Sequence, residues 1–160
     1  MSLAPGTRLP DVTFRTLTSD GVQTLSTAQV FGGRKVVLFG VPAAFSPTCH
    51  GQHLPGFVRD HDAIKARGVD TIACVTPNDV WVLDAWSKAT GADGKVLMLS
   101  DGNGEFARAA GLQLDGTAFG EGMRLQRFSA LVDDGVVTEF QMEENPGLVT
   151  VTGAERFRTA

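Results

Sequence analysis

A chain of 160 residues with a formal net charge of -4 and 42% hydrophobic residues can bury a core of its own, and its charge excludes a general basic footprint for nucleic acid. No apolar run reaches the length of a membrane span, and the N-terminus has no basic segment leading into an apolar one. A cytoplasmic protein with no membrane or nucleic-acid partner is expected. The two cysteines, Cys49 and Cys74, are too few for a disulfide scaffold, so each is a small buried apolar residue or a reactive thiol.

No repeat, linker or low-complexity segment interrupts the chain, so residues 1–160 read as a single domain. Lys35 to Val41 is a nearly continuous apolar run with β-branched residues, which predicts a strand buried on both faces. Gln52 to Arg67 places Phe57, Val58, Ile64 and Ala66 among charges and ends at Gly68, which predicts an amphipathic helix. Pro55 falls inside it and should kink it or delay its start. Val69 to Val75 predicts a second buried strand, and strand, helix, strand at this spacing is a βαβ unit with a parallel sheet.

Asp79 to Thr90 predicts a helix with Val80, Leu83, Ala85 and Trp86 on its apolar side. Lys95 to Leu99 reads as a short strand and Glu105 to Ala110 as a short helix. Arg127 to Val132 and Val136 to Phe140 flank Asp133-Asp134-Gly135, a hairpin turn. The expected class is α/β, a central mixed sheet flanked by helices.

The segment Gly40 to Phe57, GVPAAFSPTCHGQHLPGF, follows the first strand at its carboxyl end, where open α/β sheets place ligands. Ser46 suits an N-cap and Pro47 the first helical position. Thr48 and Cys49 then lie in the first turn, among free backbone N–H groups at the positive end of the helix dipole. Both features favour the nucleophilic thiolate. The Ser46 hydroxyl could reach the sulfur or a substrate oxygen. From the residues alone, a reactive Cys49 and an ordinary loop cysteine both stay open.

Pro42, Ser46 and Cys49 form P-x-x-x-S-x-x-C, which resembles the peroxiredoxin active-site signature. GVPAAFSPTC and HLPGF resemble the type II, peroxiredoxin-5-like branch. The resemblance continues through Gly68-Val69, Asn78-Asp79, Trp86 and Leu125 to Gly135. It implies a thioredoxin-like fold and a thiol peroxidase without a cofactor. Cys49 would be the peroxidatic cysteine, its thiolate attacking one oxygen of hydrogen peroxide or an organic hydroperoxide, so that water or an alcohol leaves and a sulfenic acid remains. Ser46 would bond the peroxide and hold the thiolate, and Pro42 would shield the sulfur. Arg127 would favour the thiolate and stabilise charge on the O–O bond, with Arg124 as a competitor for that role. Some relatives carry a second, resolving cysteine where Cys74 stands. Its place in a buried strand also suits an inert core residue. With no cysteine in residues 147–160, an external thiol is then expected to regenerate Cys49: glutathione with glutaredoxin, or thioredoxin. A homodimer is implied by the branch.

Other signals carry less. His50 and His53 beside Cys49 lack further ligands at metal spacing, so no metal is expected. His53 is read as ordering the helix start, with a weak substrate or partner role shared with Arg124 and Phe45. Gly102 to Ala107 mimics a dinucleotide loop, but a turn opening a helix explains it better. Two other readings are a redox sensor on the same scaffold and a disulfide oxidoreductase. The four residues Pro42, Ser46, Cys49 and Arg127 argue against the first. Serine at position 46, where a C-x-x-C pair needs cysteine, argues against the second.

Overall fold

β-Branched and aromatic residues alternate between two apolar layers along the central strand, and this places the rest of the molecule. The computed structural model describes residues 3–159. Its elements are β1 (Thr13–Thr18), β2 (Gly21–Ser26), α1 (Thr27–Phe31), β3 (Lys35–Gly40), α2 (Leu54–Arg59), α3 (His61–Lys65), β4 (Thr71–Thr76), α4 (Val80–Thr90), β5 (Leu97–Ser100), α5 (Glu105–Ala109), β6 (Gln113–Asp115), β7 (Met123–Leu125), β8 (Phe128–Asp133), β9 (Val136–Met142) and α6 (Glu155–Arg158). Seven strands form one sheet in the order β2-β1-β5-β4-β3-β8-β9, and β6 and β7 form a separate pair. Strands β3, β4 and β5 are parallel, while β1 and β8 run antiparallel to β5 and β3.

Along β3, Val36 and Leu38 enter one core with Phe14, Phe31, Phe106 and Phe128. Val37 and Phe39 enter the other with Cys49, Phe57, Cys74 and Trp86. A strand buried on both faces must be apolar at every position, as 36–41 are, with Lys35 at its open end. The expected mixed α/β sheet flanked by helices is present.

Several boundaries differ from expectation. Strand β4 starts at Thr71, two residues late, and β5 runs Leu97–Ser100. The helix expected over 52–67 starts earlier and is broken. Cys49–His53 forms a wide π turn, closed by Leu54 N–H donating to the Cys49 carbonyl. Pro55 lacks the N–H that a regular helix would need there, and the wide turn absorbs the defect. A second break at Asp60 (φ -94, ψ 9) separates α2 from α3. It shifts the helical phase, so Phe57 and Ile64 are buried while Ala66 is exposed. On α4, Ser87 takes the buried place expected for Ala85, which is exposed. The β8–β9 hairpin turns through Asp134 (φ 49) and Gly135 (φ 79), both in the left-handed region, as a type I′ turn needs.

Gly40 closes β3 against packed side chains. A Cβ there would collide with the Phe128 ring, 2.6 Å from Cδ1, and lie 3.0 Å from Leu125 Cδ2. Phe128 is fully buried and cannot swing away. Gly40→Ala is therefore expected to cost about 1–3 kcal/mol of stability. Urea unfolding would measure it, and an unchanged midpoint would contradict this packing account.

Candidate active site

From β3 the chain enters a loop held at both ends. Val41 N–H donates to Val75 O (3.2 Å). Asn78 Oδ1 accepts from Ala44 N–H (2.8 Å) and from the Thr76 hydroxyl (2.9 Å). The loop is forced into a tight path, and Phe45 sits at φ 63, a conformation costly for an aromatic residue. Pro42, in the same loop, is buried.

Ser46 occupies the N-cap position, because His50 N–H donates to its carbonyl (2.9 Å). Its side chain does not cap the helix. The hydroxyl donates to Ala43 O (2.6 Å) instead. That leaves its lone pairs for a donor such as a hydroperoxide O–H. Cys49 follows in the first turn, with 1% of its surface exposed.

Arg127, just ahead of β8 on the strand beside β3, is equally buried at 1%. Its guanidinium makes three directed bonds. Nη2 donates to Cys49 Sγ (3.0 Å), Nη1 to His53 Nδ1 (2.8 Å) and Nε to Pro146 O (2.8 Å). Because His53 Nδ1 accepts, its Nε2 must carry the proton and donate to Thr152 O (3.0 Å). Burial, reinforced by the Arg127 charge, pushes the His53 pKa down to about 3. So the guanidinium is surrounded by a neutral ring, a carbonyl and a sulfur. Of these three acceptors, only the sulfur can carry a negative charge to compensate it.

Glu143 stands behind this group. Burial would raise its carboxyl, but hydrogen bonds from the Thr150 hydroxyl, Val151 N–H, Thr152 hydroxyl and Thr150 N–H outweigh that and hold it at about 2. Cys74 is fully buried in β4, beside Phe39 in register. Burial pushes its thiol well up, the nearby Cys49 adds to this, and Arg127 offsets it in part. Both cysteines are free thiols.

Cys49 and Arg127 thus meet directly, with Ser46 at the start of the turn that carries Cys49 and Pro42 in the loop that leads into it. Three weaker expectations fare differently. His53 is fully buried behind Arg127, so it cannot touch a partner, because tertiary packing covers a residue that looks polar in sequence. Arg124, on β7, donates from Nε to Glu121 O (2.7 Å) within its own hairpin, while Arg127 holds the sulfur. Phe45 remains 49% exposed, its ring stacked 5.7 Å from His50. His50 accepts the Trp86 indole N–H at Nδ1 (3.1 Å). The glycine-rich stretch after β5 is a helix start, whose Phe106 and Ala107 N–H groups are taken by the Asp101 carboxylate (2.9 and 3.1 Å). Glu143, Pro146 and Thr152 escaped the sequence reading. Two of them act through main-chain oxygens, which no residue type announces.

The model of the Redoxin family matches residues 4–156. The chain is 44% identical over 164 residues to Peroxiredoxin-2E-2, chloroplastic, of Oryza sativa subsp. japonica, covering 99% of this chain and 72% of that protein. It is 41% identical over 158 residues to Peroxiredoxin-2E, chloroplastic, of Arabidopsis thaliana, covering 96% and 67%. Among solved structures, reduced Prx3 in complex with H2O2 from Vibrio vulnificus is similar with a TM-score of 0.92 at 42% identity, over 98% of this chain and 97% of that one.

Proposed function

The chain belongs to the redoxin family and is a peroxiredoxin of thioredoxin-like fold, a thiol peroxidase, and from that premise we propose that Cys49 reduces hydrogen peroxide and organic hydroperoxides and is regenerated by an external thiol. The observation that carries this is the buried Cys49 sulfur 3.0 Å from Arg127 Nη2. The thiolate attacks one peroxide oxygen, and an S–O bond forms as the O–O bond breaks. The electron pair leaves on the distal oxygen, which takes a proton and departs as water or an alcohol. Cys49 is oxidised to the sulfenic acid. Arg127 stabilises the charge that spreads along the breaking bond. Ser46 accepts from the incoming O–H, and Pro42 keeps water from the sulfur.

In the second half, a glutathione thiolate attacks the sulfenic sulfur. Water leaves and a mixed disulfide forms. Glutaredoxin then exchanges with that disulfide; thioredoxin is the alternative donor. The second cysteine plays no part in this scheme, a reading supported by its full burial in β4 and its raised thiol. We place the enzyme in the cytoplasm, where two free cysteines stay reduced. We also propose a homodimer; Trp81 and Phe119, 66% and 84% exposed, are large apolar rings that a second copy would cover.

Cys74→Ser tests the regeneration scheme. Turnover with glutathione and glutaredoxin should stay within about two-fold of wild type, as expected when a buried thiol takes no part. Intact mass of the singly oxidised wild type should show one added oxygen. A loss of two hydrogens, with turnover abolished in Cys74→Ser for every donor, would make Cys74 the resolving cysteine.

A further inference from the structure

Arg127 meets Cys49 only in an orientation imposed from behind. Pro146 O holds Nε, and His53 Nδ1 holds Nη1. Thr152 O in turn fixes the His53 ring. Pro146 and Thr152 belong to residues 144–153, a segment with no helix or strand. The same segment is tied to the active-site turn, where the Thr48 hydroxyl donates to Gly147 O (2.9 Å). A segment without ladder bonds needs another anchor if its carbonyls are to stay aimed.

Glu143 supplies that anchor. It is 3% exposed, and its carboxylate accepts five hydrogen bonds. The donors are Thr150 N–H (2.9 Å), the Thr150 hydroxyl (2.6 Å), Val151 N–H (2.9 Å), Thr152 N–H (2.9 Å) and the Thr152 hydroxyl (2.8 Å). Its own N–H donates to Arg127 O (3.0 Å), so one residue clamps both the segment and the arginine main chain. Five donors around one side chain fit an acceptor-only group, and an amide would turn its NH2 toward one of them. The carboxyl is also ionised across the working pH range, since these bonds hold its pKa at about 2.

We infer that Glu143 is a positioning residue for the peroxidase reaction: its carboxylate fixes residues 144–153, and their carbonyls aim Arg127 and His53 at Cys49. The inference rests on Cys49 being the peroxide-reacting thiol, which the wild-type rate checks in the same assay. A wild-type protein that fails to react sinks both, whereas a defect confined to the variant concerns Glu143.

Glu143→Gln in the full chain is the test. Stopped-flow tryptophan fluorescence would follow mixing with hydrogen peroxide, and 15N–1H correlation would follow the His53 ring. The second-order rate constant should fall about 10- to 100-fold, the scale of a misplacement of about an ångström in the supporting shell. The His53 ring should lose its single Nε2–H tautomer. A destabilisation that leaves the site intact would not move that ring signature. A folded variant with the wild-type rate overturns the inference, as does a slower variant with unchanged ring signals. If Glu143→Gln does not fold, Thr150→Val removes the hydroxyl donor to Oε1 and keeps the three main-chain donors. A drop of about three-fold is expected from losing one such bond, and an unchanged rate overturns the inference.

Discussion

Arg127→Gln is expected to slow the reaction of Cys49 with hydrogen peroxide by about 10²–10³-fold, the usual loss when one donor to a developing charge is removed. Arg127 is buried, and its Nη2 lies 3.0 Å from the sulfur. Glutamine has two neutral N–H donors on a single nitrogen, and these cannot serve the sulfur, His53 and Pro146 together. The variant loses the charge to which the proposed mechanism assigns stabilisation of the O–O transition state. Stopped-flow rates for wild type and variant would measure this, with Cys49→Ser as the blank. A rate within a few-fold of wild type would remove Arg127 from the mechanism. Arg124→Gln serves as the contrast, since that side chain is held by Glu121 O on its own hairpin, and it should leave the rate nearly unchanged.

His53→Ala should be the most damaging single change to the fold at this site, by about 3–5 kcal/mol. It leaves Arg127 Nη1 and Thr152 O without their partner in a buried place and opens a cavity against Phe39 and Phe57, whose rings lie 5.1 and 5.6 Å from the imidazole. Acid should do the same work in the native protein. The unfolded chain protonates His53 near 6.5, but the folded chain only near 3. Between those values the unfolded state holds the extra proton, so stability falls as pH drops, by up to about 1.4 kcal/mol per pH unit. Glu143 adds a second window. Its carboxylate supports the fold above the ordinary value of 4.5, and this support is lost as pH falls from there toward about 2. His53→Gln keeps a neutral acceptor and donor in place but cannot titrate. Urea midpoints for that variant should be flat between about pH 6.5 and 4.5, where wild type declines. Parallel slopes in the two proteins would show that His53 is not the group responsible.

The central strands and the hairpin were legible because their patterns are local. Residues 36–40 are apolar on both faces, and Asp134-Gly135 can take the two positive φ angles that its turn needs. The first hairpin, β1–β2, went unread although Asp20-Gly21 marks its turn. Strand β2 is an outer strand with no fully buried residue, so its alternation carries little apolar contrast. Strands β6 and β7 have three residues each and helix α6 four, too short for any period to show. In the site, Pro42, Ser46 and Cys49 fall within eight residues, and their spacing made them visible. Arg127 was visible by resemblance. The supporting group was not. His53 reads as a residue that orders the helix start, and its place behind Arg127 shows only once the sheet, α2 and residues 144–153 close over it. Glu143 looks like one more acidic residue before a polar stretch.

The neutral setting of Arg127 has a further consequence once the enzyme has turned over once. While Cys49 is a thiolate, the guanidinium has a counter-charge at 3.0 Å. When the sulfur becomes a neutral sulfenic acid, the buried guanidinium keeps only uncharged bonding partners, and the Glu143 carboxylate acts on the group from behind without a bond to the cation. Removing one partner of a buried pair commonly destabilises the remainder by about 3–5 kcal/mol. That penalty falls on the closed pocket and not on an unwound first turn, where the arginine can meet solvent. On the proposed mechanism, oxidation is therefore expected to loosen the turn that carries Cys49 and to bring its sulfur within reach of the incoming thiol.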